Sequence, residues 1–281
     1  MSTPRTLTLP EGVEATGIET PVGTFAAHVA RPPSRTASPT AHVLLIPGWT
    51  GSKEDFTPLL PLLAAAGFDA TAYDQRGQFE TPGEPGADYT LDGFASDALA
   101  VASACSDGAS HLLGHSFGGL VAQQAVLAPS SAWRSLSLLD TGPGALGESP
   151  NRPLKMLLDA LGTVPMADIH RVREAALGLK RAPEIADFLL RRFTSNDPMS
   201  LKAMTQALID APDRLDELAS RDVPIWVGRG ADDDAWPHDI QAAMAKRLGT
   251  EIHVIEHAAH SPAVENTQGL ADAWLPFLAQ S

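Results

Sequence analysis

The run Gly114-His115-Ser116-Phe117-Gly118-Gly119 holds a serine between two glycines in the pattern G-x-S-x-G. The pattern is common, so its surroundings decide what it means. An apolar strand pattern, His111–Gly114, runs into it and a helical pattern, Leu120–Leu127, runs out of it. A serine on such a sharp turn is lifted clear of the sheet, and the glycines leave room for the crowded backbone. The following helix aims its positive end at the hydroxyl, where an anion would develop during attack on a carbonyl. The plainer alternative is a glycine-rich turn in which Ser116 only caps a helix.

A serine hydroxyl needs a base to take its proton, and the usual base is a histidine oriented by a carboxylate. Of the nine histidines, His28, His42, His111 and His253 lie in or beside strand patterns and read as structural. His115 adjoins the serine and points away from it at a sharp turn, while His170 and His238 read as solvated or capping residues. His260 and His257 follow the last strand pattern, on the side of the sheet where Ser116 emerges. The carboxylate is expected at another strand end. Asp232, Asp233 and Asp234 follow the strand Pro224–Val227, and Asp140 follows Ser135–Leu139. Three adjacent carboxylates repel, so some of that triplet must face water. The triplet lacks the alternation of a calcium loop. A tetrahedral intermediate also needs donors for its oxyanion. The amide of Phe117 is one, and the loop Pro47–Gly51 offers that of Trp49 or Gly48 as the second.

The elements that must position these groups alternate along the chain. Strand patterns at Val43–Ile46, Phe68–Tyr73, His111–Gly114, Ser135–Leu139, Pro224–Val227 and Glu251–Ile255 are separated by helical ones. The helical patterns are Glu54–Ala66, Leu91–Cys105, Leu120–Leu127, Pro237–Leu248 and Pro262–Leu278. Such alternation predicts a mostly parallel sheet flanked by helices, an α/β fold. The expected organisation is a core of residues 1–144 and 221–281 with a helical cap, 145–220, inserted before the penultimate strand. Between Arg152 and Arg214, 10 basic residues face 8 acidic ones, while the remainder carries 10 against 26. The basic pairs Lys180/Arg181 and Arg191/Arg192 read as a solvated face, with an anionic substrate as the alternative. Met156, Met166, Phe188, Phe193, Met199 and Met204 read mainly as packing. Arg31–Thr40 reads as a Pro/Ser-rich surface link.

With 281 residues and 44% hydrophobic composition the chain can bury a large core without staples. A net charge of −14 repels phosphate backbones and anionic lipid, so neither nucleic acid nor membrane is an expected partner. No apolar run is long enough to span a bilayer and the polar start lacks a signal-peptide core, so the expected location is the cytoplasm. Cys105, the single cysteine, forbids an internal disulfide and reads as a small buried thiol.

Taken together these residues resemble the α/β-hydrolase superfamily, in its capped, esterase-like serine-hydrolase branch. The resemblance spans nearly the whole chain. It rests on the turn at Ser116, the acid segment Gly230…Asp233…Pro237, the closing segment His260…Glu265, the turn Asp74-Gln75-Arg76-Gly77 and the chain order Ser…Asp…His. It implies Ser116 as nucleophile, His260 as base, Asp233 as orienting acid, and Trp49 and Phe117 as oxyanion donors. It also implies no metal or organic cofactor and a small-molecule substrate. The chain departs from the family at Pro47-Gly48, where the usual pair is His-Gly. Related haloalkane dehalogenases and epoxide hydrolases carry aspartate where Ser116 stands. The expectation is therefore hydrolysis of a carboxylic ester, lactone or thioester through an acyl-enzyme. The alternatives are a C–C bond hydrolase, a cofactor-free lyase or oxygenase, or a non-catalytic ligand-binding protein on the same scaffold.

Overall fold

The computed structural model describes residues 2–33 and 40–281. Residues 34–39 of the Pro/Ser-rich link lie outside that range. The frame is one sheet of eight strands: β1 (Val13–Thr20), β2 (Gly23–Ala30), β3 (Thr40–Ile46), β4 (Phe68–Tyr73), β5 (Ser110–His115), β6 (Trp133–Leu139), β7 (Ile225–Gly230) and β8 (Ile252–Ile255). Their spatial order is β1-β2-β4-β3-β5-β6-β7-β8. β1 and β2 pair antiparallel with each other, and β2 with β4; every later pairing is parallel.

The helices are α1 (Leu60–Ala65), α2 (Leu91–Cys105), α3 (Phe117–Leu127), α4 (Glu148–Ala160), α5 (Met166–Leu177), α6 (Pro183–Thr194), α7 (Pro198–Asp210), α8 (Leu215–Ala219), α9 (His238–Arg247), α10 (Pro262–Glu265) and α11 (Thr267–Leu278). The central parallel strands β3 and β5 are buried on both faces, as helices on each side require, while the edge strand β8 is partly exposed. In β3, Leu44 and Ile46 join one apolar cluster, with α2 and α3. Val43 and Leu45 join the other, with α1 and α11. The strand period of two assigns successive residues to opposite faces.

Three elements differ from the sequence expectation. The hairpin β1–β2 has no counterpart there, because β1 is largely exposed and its alternation is weak. The helix expected over Glu54–Ala66 is a 3-10 turn at Lys53–Asp55 followed by α1. Pro58 and Pro61 fall inside that span, and proline is tolerated only in a helix's first turn. The last helix divides at Asn266 (φ −143°), whose side chain caps α11 through Gly269 N. Cys105 is half-buried rather than buried, with Thr71 donating to its sulfur at 3.7 Å.

Helices α4–α8 stand between β6 and β7, with no strand among them. They seat on the loops at the C-terminal ends of the strands. Asp197 N donates to Gly77 O at 2.9 Å, Ser200 Oγ to Arg76 O at 2.8 Å, and Tyr89 Oη to Asp197 at 2.6 Å. Arg192 is fully buried and donates to Asp55 at 2.7 Å and to the Ser2 carbonyl at 2.5 Å. It is therefore not part of a solvated basic face. Met156 (69%) and Met199 (58%) are exposed, whereas Phe188, Phe193 and Met204 are buried.

Candidate active site

β5 delivers the chain to Ser116 and α3 begins at the next residue. Ser116 has φ 55° and ψ −120°, a left-handed conformation that a side chain adopts only when its surroundings impose it. The crossing of β5, α3 and the loop after β3 imposes it. A Cβ on Gly114 would collide with the Gly118 carbonyl, and one on Gly118 with the Ile46 carbonyl. Thr141 Oγ1 donates to the Ser116 carbonyl at 2.7 Å and fixes the turn from β6.

His260 Nε2 lies 3.0 Å from Ser116 Oγ, and His260 Nδ1 lies 2.8 Å from Asp233 Oδ1. Of the acidic triplet, Asp233 is buried while Asp232 and Asp234 are exposed. Its carboxylate also accepts from Gln241 Nε2 at 2.6 Å and from Ala235 N at 3.0 Å. Burial alone would raise the Asp233 pKa, but the bond to His260, that ring's charge and the other donors together hold it well below the usual carboxylate range. With Asp233 ionised, His260 Nδ1 carries the proton and Nε2 presents its lone pair to the Ser116 hydroxyl.

The alternatives fall elsewhere. His257 is exposed with φ 57°. Asp140 is buried, accepts from Gly230 N at 2.8 Å and makes no hydrogen bond to His260. Burial, and then the Asp233 charge, push its pKa well above the usual carboxylate value. Asp140, Asp233 and His260 offer ligand atoms within 4.8 Å of one another, the one such cluster among the described residues. Within it Asp233 and His260 Nδ1 face each other, and Asp233 also accepts from Gln241.

Two groups hold His260: His115, which the sequence reading gave only a packing role, and Glu265, which it named in the closing segment without a contact. His115 Nε2 donates to the His260 carbonyl at 2.6 Å. Burial, and then the neighbouring His260, pull its pKa down to about 3, so it stays neutral. Its adjacency to Ser116 suggested only local packing, yet its ring reaches across to the other side of the site. Glu265 accepts from Ala259 N at 2.6 Å and Ser261 N at 3.1 Å, and so orders the loop around His260. His170, read as solvated or capping, is instead buried against Phe193, with ring centroids 5.5 Å apart. His238 Nε2 donates to the Asp233 carbonyl at 2.9 Å.

The amides of Phe117 and Trp49 have no hydrogen-bond partner among the described residues. Phe117 N is the first of α3 and shares its positive end. The loop carrying Trp49 is held by two glutamines of the turn after β4. Gln75 Nε2 donates to Pro47 O at 3.0 Å and Gln78 Nε2 to Gly48 O at 2.9 Å. In the same turn Arg76 Nε pairs with Asp97 at 2.8 Å, while the buried Asp74 binds Lys53 Nζ at 3.0 Å. The Trp49 indole leaves this loop toward the insertion and donates to Thr205 Oγ1 at 3.0 Å.

A family model described as an alpha/beta hydrolase family matches residues 43–273. A protein of Variovorax paradoxus (strain S110) named as a carbamate hydrolase, RutD, is 28% identical over 248 residues, which is 85% of this chain and 91% of that protein. A pimeloyl-[acyl-carrier protein] methyl ester esterase of Neisseria meningitidis (serogroup A, serotype 4A) is 27% identical over 245 residues, 84% of this chain and 76% of the relative. Among solved structures, a hydrolase from Pseudomonas aeruginosa PA01 superposes with a TM-score of 0.75 at 23% identity, covering 94% of this chain and 98% of its own. At that identity the likeness bears on the fold. No helix among the described residues is long and apolar enough to cross a membrane.

Proposed function

The chain belongs to the alpha/beta hydrolase family, and we propose that within it the protein is a serine hydrolase of carboxylic esters, lactones or thioesters. One observation carries this reading. Ser116, His260 and Asp233 form a continuous chain of hydrogen bonds, 3.0 and 2.8 Å long, ending on a serine in a strained conformation. Two partnerless amides, Trp49 and Phe117, supply the complementary donors. The named activities of the two relatives, on a carbamate and on a methyl ester, involve the same kind of carbonyl electrophile.

In this mechanism Ser116 Oγ attacks the carbonyl carbon while its proton passes to His260 Nε2. Asp233 stabilises the resulting imidazolium through Nδ1–H. The carbonyl oxygen, now anionic, takes the Phe117 and Trp49 N–H groups. Collapse breaks the bond to the leaving oxygen or sulfur, which receives the proton from His260. Water then gives a proton to His260 Nε2, attacks the acyl-enzyme, and releases the acid and the free serine. The insertion, residues 145–220, acts as a cap over this site, with the core formed by 1–144 and 221–281.

A fluorophosphonate probe tests the reading without knowledge of the substrate, since it needs only an activated serine and an oxyanion site. One label per folded chain is expected, on the peptide containing Ser116, with none on Ser116→Ala. Turnover in that variant should fall on the order of 10⁴- to 10⁶-fold. A folded wild-type protein that takes no probe, or a Ser116→Ala protein that keeps its turnover, sinks the proposal.

A further inference from the structure

Other arginines in and around the insertion that are shielded wholly or in part have carboxylate partners: Arg192 meets Asp55 at 2.7 Å, Arg76 meets Asp97 at 2.8 Å, and Arg181 meets Glu174. Arg173, on α5, does not. Its Nη1 is sealed from solvent without a hydrogen-bond partner, and among the described residues no carboxylate lies within ion-pair distance of its guanidinium. Glu174, the next residue, turns its carboxylate to Arg181 instead.

The surroundings of Arg173 are aromatic. Its guanidinium carbon lies 4.7 Å from the centroid of the Trp49 ring and 5.3 Å from that of Phe193. Both rings pack in the apolar cluster of Leu161, Ile169 and Leu201. Burial, offset in part by Glu174, pulls the Arg173 pKa down to about 10, so the group remains a cation at neutral pH. Arg173 as a whole is half-buried, but a cation with one nitrogen shut from water and unpaired among the described residues is costly to the free protein, and an arriving anion recovers that cost. Trp49 sets where the anion would sit. Its amide is the proposed oxyanion donor for the Ser116 reaction, and its ring carries the guanidinium. One residue therefore spans the distance from the reacting carbonyl to the unmatched charge.

We propose that Arg173 receives a carboxylate of the substrate, so that the protein acts on esters or lactones bearing a carboxylate a few bonds from the scissile carbonyl. The planar donor fork matches two carboxylate oxygens, and a monoanion is less costly to strip of water than a dianionic phosphate. This inference rests on the acyl-transfer reading above for its substrate class, but the anion site itself can be measured apart from turnover.

The experiment uses the full chain as wild type, Arg173→Gln, Arg173→Lys and Arg173→Met. Two charged esters, monomethyl glutarate with its carboxylate on the acyl side and 3-acetoxypropanoate with it on the alcohol side, are compared with methyl butyrate and ethyl acetate. For at least one pair, the ratio of charged to neutral kcat/KM should fall about 10- to 100-fold in Arg173→Gln and recover in part in Arg173→Lys. Calorimetric titration of glutarate into proteins also carrying Ser116→Ala should show the same fold loss of affinity. Arg173→Met, which keeps an apolar contact with Trp49 and removes the unmatched charge, should melt at or above the wild-type temperature. Ratios and glutarate affinity unchanged in Arg173→Gln would overturn the proposal, as would glutarate failing to bind where inorganic phosphate does. A protein that cleaves neutral esters without Arg173 dependence overturns the anion site and leaves the esterase reading standing. Arg173-dependent glutarate binding without hydrolysis of any ester upholds the site and removes the esterase reading.

Discussion

Replacing Arg192 by methionine should weaken the whole molecule, because this residue ties the insertion to the core. The Arg192 side chain has no exposure and that of Asp55 only 4%. Its two terminal nitrogens reach Asp55 at 2.7 Å, Ser52 Oγ at 3.3 Å and the Ser2 carbonyl at 2.5 Å. In Arg192→Met the Asp55 carboxylate is left buried and unpaired, and the Ser2 carbonyl loses its donor. Removing one partner of a buried ion pair costs about 3–5 kcal/mol. A chain of 281 residues shifts its midpoint by about 2 °C per kcal/mol, so Tm should fall by about 6–10 °C. Scanning calorimetry or a circular-dichroism melt reads this directly. The pair itself is a different quantity from its breaking, since two apolar residues of similar volume can replace such a pair at little cost. The double variant Asp55→Leu/Arg192→Met should therefore recover most of the loss, and a double-mutant cycle should give a coupling of about 2 kcal/mol or more. A shift below about 2 °C in Arg192→Met, or strictly additive losses, would refute the view that this buried pair anchors the insertion.

Two further perturbations act on titratable groups. His42 is wedged between Ser110 at 2.9 Å and Thr71 at 3.0 Å, and burial, then the charge of His111, bring its pKa to about 4 against an unfolded value near 6.5. The unfolded chain therefore takes up a proton that the folded one refuses; stability is full above pH 6.5 and is lost as pH falls toward 4. His42→Asn should remove about 1.4 kcal/mol per pH unit from that slope, read from denaturant melts at several pH values, and an unchanged slope refutes it. Gln241→Leu deletes a 2.6 Å donor to Asp233 and should cost about 1.5–3 kcal/mol of stability at pH 7. Asp233 is held well below its unfolded value of 3.8, and the unfolded chain titrates alike in both proteins, so the loss should persist through pH 4 and shrink only in stronger acid, where the folded carboxylate protonates; a loss that already vanishes between pH 5 and 4 would show that the bond does not act through the charge.

Local pattern carried much of the architecture. The strand Phe68–Tyr73 and the helix Leu91–Cys105 have the bounds that apolar periodicity and flanking breakers indicate, because each is long and cleanly patterned. The first hairpin escaped because an edge strand with one exposed face carries little periodic signal, and α1 fell short because two prolines override the apolar spacing of Glu54–Ala66. In the insertion, helical content was readable while side-chain direction was not. Arg192 and His170 turned inward, and Met156 and Met199 outward, because facing elements distant in sequence decide which stripe of a helix is covered.

The sequence by itself determined the group types and their separations: a serine between glycines after a strand, a histidine in the last loop, and acids at the ends of two strands. Such features depend on a few neighbouring residues, and backbone sterics tie them to a turn. The tertiary structure alone decided which acid meets His260. Asp233 turns inward to His260 and Gln241, while Asp140 turns to Gly230, a choice made by the partners that the loops after β6 and β7 meet. It also decided that His115 holds the His260 backbone, that Gln75 and Gln78 hold the loop of Trp49, and that no carboxylate among the described residues pairs with Arg173. Each of these joins residues far apart in the chain, and their hydrogen bonds and charges acquire a partner, or lack one, only when the packed elements bring them to a common place.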